Sequence, residues 1–362
     1  MERGRIKGLD GIRAFAALMV FAEHQLWPAQ WMFLGRLGVE LFFVLSGYLI
    51  VGILTARAEV VERGLSTRWE EIKSFFVRRS FRIFPAYYGL CGVMALLATL
   101  GVFDINLSLY RYYLTYTTNI AFSHIFEGWP QGQNFGHFWT LAIEEQFYLL
   151  LAPLFLCLPA RMHKAACLGV VAVALAAAGI LRSVGMSWFS VGMDSLVNFG
   201  YLALGGVISQ TVRPGSAAKN GPILAGVGLC LGLAIICLLT RPAGGAEFSV
   251  AIAMGGASAV VIAQVVRNQR AGLIALLETR PLRWLGSISY ALYLYHIFVK
   301  LPHTGIAFKG MDLIVLVNLA LAIALAQASW MLIERPSLKL RDRYFSPKAR
   351  VSTATTRAVL AE

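Results

Sequence analysis

The sequence predicts an all-α fold, a polytopic membrane helix bundle of about ten transmembrane helices with both termini in the cytoplasm, and three observations carry that prediction. Over 362 residues the chain is 58% hydrophobic and only 14% charged, with a mean hydropathy of +0.66. A soluble domain of that size is far more polar. Apolar windows of about twenty residues, the length that spans a bilayer core, recur along it. The 32 Lys and Arg residues are unevenly spread: all but Arg36, Arg111, Arg182, Arg241, Lys300 and Lys309 fall in alternate segments between windows. That alternation places the cationic segments in the cytoplasm. It also argues against nucleic acid as a partner despite a net charge of +13, because the cations form short clusters between apolar runs rather than one basic face.

The windows run over 12–28, 37–56, 84–103, 138–158, 165–182, 190–211, 222–240, 248–266, 284–302 and 312–333. The first has a basic start (Arg3, Arg5, Lys7) but no small-residue cleavage site after Ala22, so it is expected to be retained. Residues 57–83 are expected to form a cytoplasmic interfacial helix. Thr67 and Glu70 have capping-box spacing, and Trp69, Ile72, Phe75 and Phe76 recur at helical spacing. On the outer side, 104–136 gathers Tyr110, Tyr112, Tyr113, Tyr116 and Trp129, which suits an aromatic belt or a loop folding back. The stretch 165–266 has little polar content and carries Gly228-x-x-x-Gly232, a helix-packing pattern, and reads as scaffold. Cys91, Cys157, Cys167, Cys230 and Cys237 all lie in apolar windows without ligand spacing. They predict buried free thiols and no metal site. Residues 1–343 are expected to form the membrane domain and 344–362, rich in Ser, Thr, Ala and Arg, a disordered cytoplasmic tail.

Ionisable groups inside the windows are the candidates for chemistry, since a charge at mid-span costs about 2.5–3.5 kcal/mol by insertion scales and needs a reason to be there. Between Arg13 and His24 runs the apolar stretch 14–22, then Glu23. A helix entering the membrane at Arg13 carries the imidazole roughly 16 Å along its axis. A window that simply ends at Ala22 would instead leave His24 among headgroups. In the second window Glu40 precedes Ser46-Gly47, which reads chiefly as a helix-packing pair. Arg78, Arg79 and Arg82 lie within about one helical turn ahead of Pro85; they suit either a topology anchor or bidentate grip on phosphate oxygens. In the fourth window Glu144 and Glu145 follow His137-Phe138-Trp139. Neighbouring helix positions point about 100° apart, so at most one of the two readily lines a shared cavity. His296 lies roughly 18 Å into the ninth window, a depth similar to that of His24. Glu334-Arg335-Pro336 is expected to close the last window.

Arg13 with ten residues before His24, Phe42–Ile50, Arg78–Tyr87, Trp139–Tyr148 and Ser289–His296 together resemble the acyltransferase 3 family of integral-membrane acyltransferases, in its order and spacing. The resemblance implies about ten helices in the inner membrane and transfer of an acyl group, acetyl foremost, from cytoplasmic acyl-CoA to a hydroxyl of a carbohydrate or glycan. It implies His24 as the catalytic histidine, supported by Glu145, with Glu144 beside it, and His296. The coenzyme phosphates would then fall to Arg13, Arg78, Arg79 and Arg82. The partners expected are acyl-CoA, the glycan acceptor, the lipid bilayer and separate glycan-assembly proteins. Many members carry a C-terminal hydrolase-like domain; this sequence is expected to be a stand-alone form. A proton-coupled exporter of glycans or small organic acids would use His24, Glu144, Glu145 and His296 as a relay, although the sequence shows no internal repeat.

Overall fold

The structure, a computed structural model, describes residues 5–25, 32–102, 109–126, 135–240, 245–299, 307–308 and 311–345. It is helical almost throughout. The first half contains α1 (Leu9–Gln25), α2 (Met32–Glu62), α3 (Arg68–Thr99), α4 (Tyr110–Leu114), α5 (Thr118–Ile120), α6 (Phe138–Cys157), α7 (His163–Ser183), α8 (Trp188–Met193) and α9 (Ser195–Thr211). The second contains α10 (Gly221–Thr240), α11 (Gly245–Arg267), α12 (Gly272–Leu277), α13 (Arg280–Ser287), α14 (Ser289–Tyr295), α15 (Ile314–Ser329) and α16 (Arg335–Phe345). Two-residue strands β1 (Ala307–Phe308) and β2 (Met311–Asp312) pair antiparallel. Among the described residues six helical stretches are long and apolar enough to cross a bilayer, and Gly221–Ile236 is apolar but shorter. The protein is a multi-pass membrane helix protein.

The chain forms two compact units, one of Met1–Ile6, Phe43–Arg213 and Pro336–Glu362, the other of Lys7–Phe42 and Pro214–Arg335. In the first unit α7 packs on α9, and α6 on both α3 and α9. The approach of α2 to α9 is close enough that backbone meets backbone: a Cβ on Gly47 would overlap the Leu202 carbonyl, and one on Gly205 would overlap that of Val44. Small residues permit such contact in lipid, where burial of apolar surface gives helices no preference for each other over acyl chains. In the second unit α1 packs on α13 and α14, α14 on α15, and α10 on α11. Ala14, Ala17 and Phe21 of α1 share a core with Ile288, Ala291, Leu292, Ala322 and Ala326.

Several windows resolve differently from the sequence reading. The interfacial helix at 57–83 does not exist as a separate element: α2 continues to Glu62, and α3 runs unbroken from Arg68 through Pro85 to Thr99. Its start is the Thr67–Glu70 capping box. Pro85 is tolerated because Ser337 Oγ donates to the Phe81 carbonyl at 2.7 Å, the acceptor left without its helical partner by the missing proline N–H. The sixth window is cut by Asp194, which caps α9 by accepting from Val197 N. The ninth window is two short helices and a 3-10 turn at His296–Phe298. Glu334-Arg335-Pro336 does not close the last window: a π turn (Trp330–Glu334) leads into α16, whose first turn accommodates Pro336. Gly228 and Gly232 face nothing within 4 Å; Gly226 is the residue that packs on α11, against Val260 and Val261. Cys91, Cys167 and Cys230 are buried free thiols, whereas Cys157 is exposed. The Cys237 side chain, Trp129 and the tail beyond α16 lie outside what the structure describes.

Candidate active site

The second unit brings His24 and His296 together. His24 sits near the end of α1, and its Nδ1 lies 2.8 Å from Val20 O and 3.3 Å from His296 Nε2. The ring centroids are 4.9 Å apart, edge to face. His296 is buried, with Nδ1 2.6 Å from Tyr293 O. A carbonyl only accepts, so in the neutral pair each Nδ1 carries the proton. His296 Nε2 then accepts from His24, and the basic lone pair resides on His24 Nε2. The 3-10 turn that presents His296 is held from α1: Gln25 Nε2 donates to Val299 O at 2.9 Å and to His296 O at 3.4 Å. Asn318 of α15 donates to Gln25 Oε1 at 2.8 Å. Gln25 and Asn318 are both buried, and a satisfied buried amide pair fixes geometry strongly. Arg13 lies one α1 turn from Asp10 at 3.4 Å, and Glu40 of the same unit holds Arg36 at 2.9 Å.

In the first unit Glu144 is the better anchored of the two adjacent carboxylates. Ser46 Oγ donates to its Oε1 at 2.7 Å and Tyr148 OH to its Oε2 at 3.3 Å. Glu145 points elsewhere, its Oε1 buried without a hydrogen bond among the described residues. The Arg79 guanidinium stands 5.6 Å over the Tyr148 ring, so Glu144, Tyr148 and Arg79 form a continuous polar track. Arg57 of α2, almost fully buried, pairs with Glu71 of α3 at 2.5 Å. Arg78 and Arg79 both act electrostatically on Arg57. Arg78 and Arg82 are one turn apart on α3 and share a face. So many cations on neighbouring turns make a positive patch suited to a polyanion.

The structure thus joins His24 with His296 in one unit and the arginine cluster with Glu144 in the other. Sequence reasoning missed Gln25, Asn318 and Arg57, and took Ser46 for packing when only its neighbour Gly47 packs. Asn318 was the most readable of these, the sole polar residue in the run 314–326. Among the described residues no group of His, Cys, Asp and Glu could hold a metal.

A family profile described as an acyltransferase domain matches residues 6–332. The chain is 29% identical over 326 residues to the peptidoglycan O-acetyltransferase OatA of Listeria monocytogenes, covering 82% of this chain and 49% of that one. It is 29% identical to the putative peptidoglycan O-acetyltransferase YrhL of Bacillus subtilis, covering 94% and 56%. It is 26% identical to the O-acetyltransferase OatA of Staphylococcus aureus, covering 98% and 61%. The chain therefore spans about half to three-fifths of the length of these curated relatives. No solved structure matches it. With the family profile spanning nearly the whole chain, the protein belongs to the acyltransferase 3 family.

Proposed function

We propose that the protein is an acyl-CoA-dependent O-acyltransferase of a bacterial inner membrane, acetyl being the group transferred and a carbohydrate or glycan hydroxyl the acceptor. The observation that carries this reading is the His24–His296 pair at 3.3 Å, whose hydrogen bonds leave the basic nitrogen on His24. The names of the relatives, peptidoglycan O-acetyltransferases, support a glycan acceptor. His24 Nε2 takes the proton of the acceptor hydroxyl as its oxygen attacks the thioester carbonyl. The C–S bond breaks, the coenzyme leaves as thiolate and the proton returns to it, giving ester and free thiol. An imidazole suits the task because its ordinary pKa, about 6.5, lies close to working pH. Arg78, Arg79 and Arg82 grip phosphate oxygens of the donor. Glu144 and Glu145 belong to the same machinery, Glu144 as the acceptor that orders Ser46 and Tyr148.

The test is incubation of membranes containing the protein with acetyl-labelled acetyl-CoA and crude glycan, followed by mild alkali. Label in the glycan that alkali releases is the expected result. Label that stays in acetyl-CoA while glycan or a small acid crosses sealed vesicles would replace the enzyme by a proton-coupled exporter.

The proposal includes about ten spans with cytoplasmic termini. Single cysteines in a cysteine-free background should then be shielded from an impermeant thiol reagent at position 64 and labelled at position 132. Labelling of position 64 in cells with only the outer barrier opened would reverse the orientation.

A further inference from the structure

We propose that Arg341, on the C-terminal helix α16, is a further donor-binding residue, which adds a cation to the Arg78–Arg82 cluster and takes a phosphate oxygen of acyl-CoA. This rests on the proposed acyl-CoA reading and extends it to a helix that follows the last apolar stretch of the chain.

The argument starts from the register of α16. Ser337, Arg341 and Phe345 are spaced four and four, so they lie along one face of the helix. Both flanking residues of that face are tied to the same residue of α3. Ser337 Oγ donates to Phe81 O at 2.7 Å, and the Phe345 ring lies 5.7 Å from the Phe81 ring. Arg341 sits between these two attachments and is therefore directed at the Arg78–Arg82 turn. Its side chain is only 12% exposed, low for an arginine on a helix as charged as α16. Among charged neighbours, Arg341 acts most strongly on Arg78, ahead of Asp342 and Glu71.

Like-charged guanidinium groups that act on one another repel unless an anion lies near them. Asp342 supplies part of that compensation, at 2.7 Å from Arg341 Nη2, but it is 61% exposed and turned toward water. With its carboxylate partner at the surface and open to water, the pair is screened on that side, so a phosphate can displace the carboxylate. The docking is also specific in origin. The acceptor that receives Ser337 exists because Pro85 has no N–H to bond Phe81 O, so the proline next to the arginines is what fastens α16 over them. The shared chemistry, a phosphate oxygen, would also fit an anionic lipid headgroup, and the test separates the two.

Binding of radiolabelled coenzyme A to the full chain is measured in nanodiscs of phosphatidylcholine. Arg341→Gln is expected to raise Kd about tenfold or more, the loss of one charge-assisted contact, and Arg341→Lys to restore part of it. In the acetyl-transfer assay the same variant raises KM for acetyl-CoA in proportion, with kcat and the KM for glycan unchanged, a split that a merely structural role would not produce. Lys339→Gln removes a cation from the opposite face of α16 and should leave Kd unchanged. Equal Kd values for Arg341→Gln and Lys339→Gln overturn the proposal. So does a loss that appears only as weaker competition by phosphatidylglycerol, which would assign Arg341 to lipid. Wild-type protein that binds no coenzyme A would instead overturn the acyl-CoA reading beneath it, a result distinct from the other two.

Discussion

Replacement of His24 by alanine or by glutamine is expected to lower acetyl transfer by about 10²–10⁴-fold, the usual contribution of a general base, which is roughly 3–5 kcal/mol of barrier. The two substitutions test different things. Glutamine keeps a polar side chain that can bond Val20 O or His296 Nε2, the two partners of His24 Nδ1, but it cannot accept a proton at neutral pH. If His24 only orders its surroundings, glutamine should rescue much of what alanine loses. If His24 Nε2 is the base, both variants are equally inactive. Coenzyme A affinity should be retained in both, because the arginine cluster belongs to the other unit and makes none of the contacts described for His24. The measurement is the initial rate of alkali-labile glycan acetylation per unit of folded protein. A His24→Gln enzyme with near-native rate would remove His24 as base and move the search to Glu144, Glu145 and His296.

Substitution of Gly205 by valine is expected to damage the fold severely. A Cβ there would overlap Val44 O and lie 2.6 Å from Tyr48 N, and both obstacles are backbone. Neither can swing aside as a side chain does, so α2 and α9 must separate. Overpacking of this sort destabilises by about 1–3 kcal/mol for a tolerable misfit and by more when two helices are driven apart. Gly47→Ala, which meets Leu202 O from the other helix, should show the same direction. Separation of α2 also moves Ser46 away from Glu144, so activity should fall along with stability. Gly228→Ala is the matched control: nothing lies within 4 Å of its Cβ, and alanine favours a helix by up to about 1 kcal/mol over glycine. Thermal unfolding in detergent should show Gly205→Val melting below wild type and Gly228→Ala at or above it. A Gly205→Val protein with wild-type melting would mean that α2 and α9 do not touch as described.

These two glycines show where pattern reading stops. From the letters, Gly228-x-x-x-Gly232 was the more visible packing signature, yet it faces open space; Gly47, read with Ser46 as a packing pair, does pack, while Gly205 has no such spacing to mark it. A small residue permits close approach but does not say which helix approaches it, since that depends on contacts between segments more than a hundred residues apart. Ser46 illustrates the same limit. A serine at mid-helix beside a packing glycine has no local feature that distinguishes it from another packing residue until Glu144, 98 positions away, accepts its hydrogen bond.

Local and additive properties were determined by the sequence alone: helical, membrane-spanning character from hydropathy, the Thr67–Glu70 start of α3 from capping chemistry, and His24 and His296 as candidates from the cost of titratable groups in apolar runs. Each of these depends on residues within a turn or a single span. Only the tertiary structure decided the pairings. It placed His296 against His24, gave Glu144 to Ser46 and Tyr148, hid Arg57 against Glu71, and laid α16 on the arginines through Phe81 O. The physical reason is that a buried polar group must find a partner somewhere, whereas the identity of that partner is set by which helices meet, a property that no single segment contains.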